Sequence, residues 1–140
     1  MKVVVCGSYG DFNTFVELLD YTRKHFETEQ VFPDQAHLDE AQPSIMAHHV
    51  TNVETAETVD VRSKLMMHYF QAIDKADVVI VMNEKNGREY YGTGTMLELG
   101  YALAKSKIIY LTRHPTNPNI MSLLKIFPNN SAVSILPANR

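Results

Sequence analysis

Glu98 is the only carboxylate in the stretch YYGTGTMLELGYALA, residues 90–104, whose other members are apolar, hydroxylic or glycine. A lone acid in such surroundings suits a nucleophile, or the anionic partner of a cationic transition state. A blander reading stands beside it. Helix N-termini favour acids by about 0.3–1 kcal/mol, and Lys105, seven residues on and on nearly the same face, fits a solvated stripe. Gly92 and Gly94 ahead of the acid allow a ligand close to the backbone. Gly100, inside the expected helix, costs about 1 kcal/mol relative to Ala, which implies that something packs tightly against it.

Two loops carry candidate chemistry as well. CGSYGDF, residues 6–12, offers backbone N–H groups of Gly7, Ser8 and Gly10 at a strand-to-helix turn, although glycine serves such turns for steric reasons alone. NEKNGREYYGTGT, residues 83–95, is a polar, glycine-containing loop running straight into the Glu98 segment. His37, His48 and His49 invite a metal reading, but adjacent histidines do not face one site on a regular element and no second cluster completes a set. A Gly-x-Ser-x-Gly elbow and a dinucleotide fingerprint are both absent. The expectation is a site without metal or cofactor.

The elements that must position these residues are legible as three β-branched runs: KVVVCG at 2–7, DVVIVMN at 77–83 and KIIYLT at 107–112. They are continuous rather than alternating, as in strands covered on both faces. QVFP at 30–33 and AVSIL at 132–136 bring the expected sheet to about five strands. Helical spacing joins Phe12, Phe15, Val16, Leu19 and Phe26, then Val61, Leu65, Tyr69 and Ile73, then residues 95–104. This alternation predicts an α/β fold, a doubly wound Rossmann-like or flavodoxin-like three-layer sandwich with a parallel sheet, forming one domain over 1–140. In such sheets ligands lie beyond the C-terminal strand ends, which places the loops after the strong runs at the site. Residues 34–58, weakly periodic and polar, are expected to be a lid, a binding loop, an extra short helix or a plain insertion.

Composition bounds the partners. A chain of 140 residues with 45% hydrophobic content can build one real core. A net charge of −3, with no Lys/Arg run longer than Arg23 and Lys24, gives no footprint for nucleic acid or an anionic membrane. The single cysteine, Cys6, excludes an intrachain disulfide and fits a reducing compartment. No apolar run approaches membrane-spanning length, and VVVCG is too brief for a signal core, so a soluble cytoplasmic protein is expected.

ADVVIVMN at 76–83 followed by GTGTMLELGYALAKSKIIYL at 92–111 resembles the nucleoside 2-deoxyribosyltransferase family, which includes the deoxynucleoside monophosphate N-glycosidases. Gly94, Glu98, Gly100 and Ala102 match its Gly-x-x-x-Glu-h-Gly-x-Ala pattern. VVVCGSYG resembles the family's first strand and nucleotide-facing turn, and CGS looks most like the N-glycosidase branch. The resemblance implies a small-molecule nucleoside or nucleotide partner and a retaining mechanism. Glu98 would attack C1′ as the base leaves, forming a covalent glycosyl-enzyme that a second base or water resolves.

The same resemblance implies roles for other residues. Gly7, Ser8 and Tyr9 would meet substrate from the first turn, and Asn83, Tyr91, Gly92, Thr93 and Gly94 from the loop before the Glu98 helix. Tyr90 joins Tyr91 as a candidate for stacking on a base. Asn119 and Met121, in NIMS at 119–122, would reach the sugar of a neighbouring subunit's site, which implies a homodimer or higher homo-oligomer. Asp77 matches the strand's leading Asp but stands at the wrong end for the crevice and is expected to be structural.

Departures from the family pattern bear on chemistry. Tyr69 stands where family enzymes commonly carry an acid, and Gly92 where they carry Asp or Ser. His68, beside Tyr69, could donate the proton to the leaving base. The N-glycosidase branch holds a 5′-phosphate with Ser and Arg in the first turn; here Ser8 remains without an Arg, and Asp11 would oppose a dianion. Arg88 or Arg113 could compensate, but the balance favours nucleosides. A catalytically silent nucleoside or nucleotide sensor using the same crevice is the alternative, and a lid at 34–58 selecting a modified nucleotide is a third reading.

Overall fold

The computed structural model describes residues 1–50, 56–126 and 133–140, the side chains of 43–50 and 56–58 excepted. In chain order come β1 (Lys2–Gly7), a single 3-10 turn (Tyr9–Asp11), α1 (Phe12–His25), β2 (Gln30–Phe32), α2 (Gln35–Val50) and α3 (Ala56–Lys75). Then follow β3 (Val78–Met82), β4 (Glu84–Lys85), β5 (Arg88–Glu89), α4 (Thr93–Ala104), β6 (Ile108–Leu111), α5 (Pro118–Ile126) and β7 (Val133–Ile135). Five strands form one parallel sheet in the order β2-β1-β3-β6-β7. This is the expected doubly wound α/β arrangement, and its order reverses between β1 and β3.

Burial explains why the strong runs are strands. Every residue of β3 is buried. Its alternate side chains feed two apolar layers, so no polar position is tolerated. Val4, Cys6, Val79, Val81, Ile109 and Leu111 face Tyr69 and Ile73 of α3, Leu99, Ala102 and Leu103 of α4, and Ile120 of α5. Val3, Val5, Val78, Ile80 and Met82 pack on the other side with Phe15, Leu18 and Leu19 of α1 and Leu38 of α2. Asp77 is structural, as expected: it accepts the Lys2 N–H at 2.8 Å, and its own N–H donates to the Lys2 carbonyl at 2.9 Å. Both bonds lie at the N-terminal edge of the sheet, away from the crevice.

The structure resolves two segments that the sequence leaves open. Residues 35–50 of the polar 34–58 stretch are helix α2, while 51–55 lie outside the described residues. The loop after β3 is a two-residue hairpin, with Asn86 at φ 52° and Gly87 at φ 76° joining β4 to β5. Positive φ at both central positions is the geometry that Asn-Gly favours in tight hairpins.

The tight packing expected around Gly100 is not found. A Cβ at that position would meet nothing within 4 Å outside the local helix backbone. Gly100→Ala is therefore expected to raise stability by about 0.5–1 kcal/mol, measured as the urea midpoint. A fall in the midpoint would show that this face has an unseen neighbour. Among the described residues no helix is long and apolar enough to cross a membrane.

Candidate active site

Beyond the C-terminal ends of β1 and β3 lies a cavity of about 450 Å³. The turn after β1 supplies Gly7, Ser8, Tyr9 and Gly10 to its wall. Helix α3 supplies Arg62, Leu65, Met66 and Tyr69, and helix α2 supplies His37. The start of α4 and the residues before it complete the lining with Tyr90, Gly92, Thr93, Gly94, Thr95, Leu97 and Glu98. Glycine at position 7 is required by the sheet, because a Cβ there would stand 2.8 Å from Met82 Cβ on the paired strand.

Glu98 is 7% exposed, and burial alone pushes its carboxyl up from 4.5 to about 8. Placement in the first turn, where free N–H groups would favour the anion, is overturned. Helix α4 begins at Thr93 with Gly92 as its N-cap, two residues earlier than the spacing suggests, so Glu98 sits in the second turn. There the backbone N–H groups are committed to the helix and the dipole's reach has faded. Among the described residues nothing donates a hydrogen bond to its carboxylate. What remains is desolvation, which favours the neutral acid.

Two tyrosines border the acid. Tyr69 donates its hydroxyl proton to the Val5 carbonyl at 3.1 Å, so the 2.9 Å contact between the two hydroxyls has Tyr9 as donor. Both protons are spent in this relay. Burial first, and the Glu98 charge in addition, push both phenols above the ordinary range, so they stay neutral.

His37, weighed in the sequence only as a metal ligand, is a buried member of the cavity wall. It is 3% exposed, its ring lies 4.8 Å from Phe32, 5.2 Å from Tyr69 and 5.6 Å from His68, and neither ring nitrogen has a partner. Burial first, then the neighbouring His68, pulls its pKa down to about 4. A neutral buried imidazole with both nitrogens unengaged costs stability unless a ligand or water uses them. The metal reading rested on His37 with His48 and His49, whose side chains lie outside the described residues.

Other expected site residues fall elsewhere. His68 follows Tyr69's neighbouring helical position to a different face of α3 and lines a second cavity with Lys2, Gln30 and Asp34. Asn83 is fully buried, and all its polar atoms are engaged. Its Nδ2 donates to Tyr91 Oη (3.0 Å) and the Arg113 carbonyl (2.9 Å), while its Oδ1 accepts from Thr112 Oγ1 (3.2 Å) and the Arg113 N–H (2.9 Å). Tyr91 in turn donates its O–H to Glu89 Oε2 at 2.9 Å. These two tie β3 to β6 rather than lining the cavity. Asn119 and Met121 are exposed on α5 and do not line it either, so the role implied for them requires a second subunit. Arg88 is exposed on β5, and Arg113 Nη1 donates to the Gly87 carbonyl at 2.6 Å; neither lines the cavity.

No family model matches the chain, and no curated protein matches it. A solved structure with the same fold is the CMP N-glycosidase BcmB of Clostridium botulinum. It superposes with a TM-score of 0.53 at 18% identity, covering 100% of this chain and 91% of that one. At this identity the likeness is one of fold.

Proposed function

We propose that this protein cleaves the N-glycosidic bond of a 2′-deoxynucleoside or its monophosphate through a covalent bond between Glu98 and C1′. The observation that carries this reading is Glu98 itself: a buried carboxyl without a donor, set into the wall of a nucleoside-sized cavity at the switch point of the sheet. The fold shared with a CMP N-glycosidase supports it.

In the first step a Glu98 oxygen bonds to C1′ while the C1′–N bond breaks and its electron pair leaves on the base. Positive charge develops on the sugar, and the carboxylate is both its electrostatic partner and its nucleophile. The departing base takes up a proton. That proton comes from solvent, while His37, neutral and unengaged at the cavity wall, keeps its own proton and donates an N–H hydrogen bond to the base as electrons gather on it. Water then attacks C1′, the ester C–O bond breaks and Glu98 is restored, with the water's proton going to solvent. A second base in place of water gives transfer. Among the described residues the missing acids at positions 69 and 92 are not replaced by other carboxylates, since Glu98 is the only one of them lining the cavity.

The test is release of free base from a panel of 2′-deoxynucleosides and their 5′-monophosphates, followed by chromatography. Wild-type protein is expected to release base from at least one member, and His37→Ala to do so about ten- to a hundredfold more slowly. Bound but uncleaved nucleosides across the whole panel would remove the enzyme reading in favour of a sensor.

A further inference from the structure

Tyr90 reaches the cavity wall from residues 90–92, a segment between β5 and α4 that belongs to neither. A ring on such a segment is only as well placed as its flanks, and here the flanks are tied down. The Tyr90 N–H donates to the Asn83 carbonyl at 3.1 Å. The side chains before and after it, Glu89 and Tyr91, are bonded to each other at 2.9 Å. Glu89 Oε1 accepts the Thr116 hydroxyl at 2.6 Å and Oε2 accepts the Thr116 N–H at 2.8 Å, which carries the pair on to the loop before α5. Glu89 and Tyr91 thus meet on the side of β6 and α5, and Tyr90 between them takes the opposite side, as alternation along a chain leaving a strand provides.

The direction of each bond in this network is fixed from its ends. The Arg113 backbone sets the orientation of the Asn83 amide, because Oδ1 must take the Arg113 N–H and Nδ2 must face the Arg113 carbonyl. The second Nδ2 proton goes to Tyr91 Oη, which leaves the Tyr91 proton for Glu89. At the far end the Thr116 N–H can only donate. Glu89 is therefore met by donors alone, the surroundings that suit an ionised carboxylate. Burial pushes its carboxyl up, but the Thr116 hydroxyl and N–H, Tyr91 and the Asn117 N–H outweigh burial and hold the pKa below its ordinary value.

We propose that Glu89, acting with Asn83 and Tyr91, is a positioning residue of the site, which holds the Tyr90 ring at the cavity wall as a preformed face for the ligand's planar base. This rests on the nucleoside reading above. Among the described residues neither Glu89 nor Tyr91 lines the cavity, so their contribution is indirect. An aromatic side chain on an untethered segment must be ordered when the ligand arrives, and the network removes that cost in advance. Its anchors are the ends of β3 and β6, the most rigid parts of the sheet near the site.

Calorimetric binding of a panel of 2′-deoxynucleosides and their 5′-monophosphates, in a Glu98→Gln background that blocks turnover, tests this role. Glu89→Ala is expected to weaken the tightest-binding member about tenfold. Glu89→Gln should stay within about twofold of the parent, because an amide oxygen in place of Oε2 still accepts from Tyr91 and the Thr116 N–H, while the Thr116 hydroxyl turns to accept from the amide nitrogen. Tyr90→Ala should cost at least as much as Glu89→Ala, and in the Tyr90→Ala background Glu89→Ala should cost nothing further. Tyr91→Phe keeps the ring in its packing but unties it from Asn83 and Glu89, and is expected to repeat the loss if Glu89→Ala fails to fold. Unchanged affinity in Glu89→Ala and Tyr91→Phe, equal losses in Glu89→Gln and Glu89→Ala, losses that add in full to that of Tyr90→Ala, or no binding by the parent would each overturn the proposal. The two readings fail separately. Coupled losses in a protein whose wild type releases no base sink cleavage and leave the positioning role standing. Base release by the wild type, with KM unmoved by Glu89→Ala, does the reverse.

Discussion

Glu98→Gln is expected to lower base release by about three orders of magnitude or more while leaving the fold intact. Gln keeps the shape of the acid and fills the same space between Tyr9, Tyr69 and the α4 N-terminus, so packing is preserved. What it removes is the oxygen that bonds to C1′ and the negative charge that stabilises the sugar cation. A loss of this size follows because, among the described residues, no other carboxylate lines the cavity to take over. Circular dichroism and the thermal midpoint check the fold, and single-turnover base release checks the chemistry. If Glu98→Gln released base at the wild-type rate, the assignment of the nucleophile would be wrong.

The second large effect is on stability, and it runs against activity. Glu98 ionises near pH 4.5 in the unfolded chain and near 8 in the folded one. Between these values the native state retains a proton that the unfolded chain has released, so each pH unit upward costs the fold about 1.4 kcal/mol. The contribution is complete below pH 4.5 and lost as pH rises through 8. Across that window the wild type is expected to lose about 3–6 kcal/mol relative to Glu98→Gln. Because the nucleophile must be ionised, kcat/KM should rise over the same range and level off above about pH 8. Urea unfolding of both proteins at pH 5, 7 and 9 is the measurement. Parallel stability curves for the two would mean that Glu98 is solvated or hydrogen-bonded, and not buried alone.

How much of this was legible in the sequence depends on what each residue's neighbours decide. The strands of the sheet were readable because a parallel strand covered on both faces must be continuously apolar, as 78–82 are. Asp77 was readable because its place in the topology excluded the crevice. Glu98 stood out as a lone acid, but its electrostatics did not. An error of two residues in the start of α4 moves it from the first turn to the second, and the burial that raises its carboxyl is decided by tertiary packing that no local pattern shows. Helix boundaries are set by a cap, and Gly92 has no side chain to announce one. The hairpin's signal, Asn86 followed by Gly87, was present and was read only as a polar loop. His37 carried no local signal, since its burial comes from Phe32, His68 and Tyr69, which lie far apart in sequence.

The measurement that bears most directly on the central claim is mass spectrometry of the intact protein after brief exposure to 2-fluoro-substituted nucleosides and nucleotides. The fluorine slows release of the sugar from a covalent intermediate more than it prevents attack. A sugar-sized mass increase that digestion places on the peptide containing Glu98, and that is absent from Glu98→Gln, is the predicted result. Free base released without any adduct, and undiminished in Glu98→Gln, would contradict it.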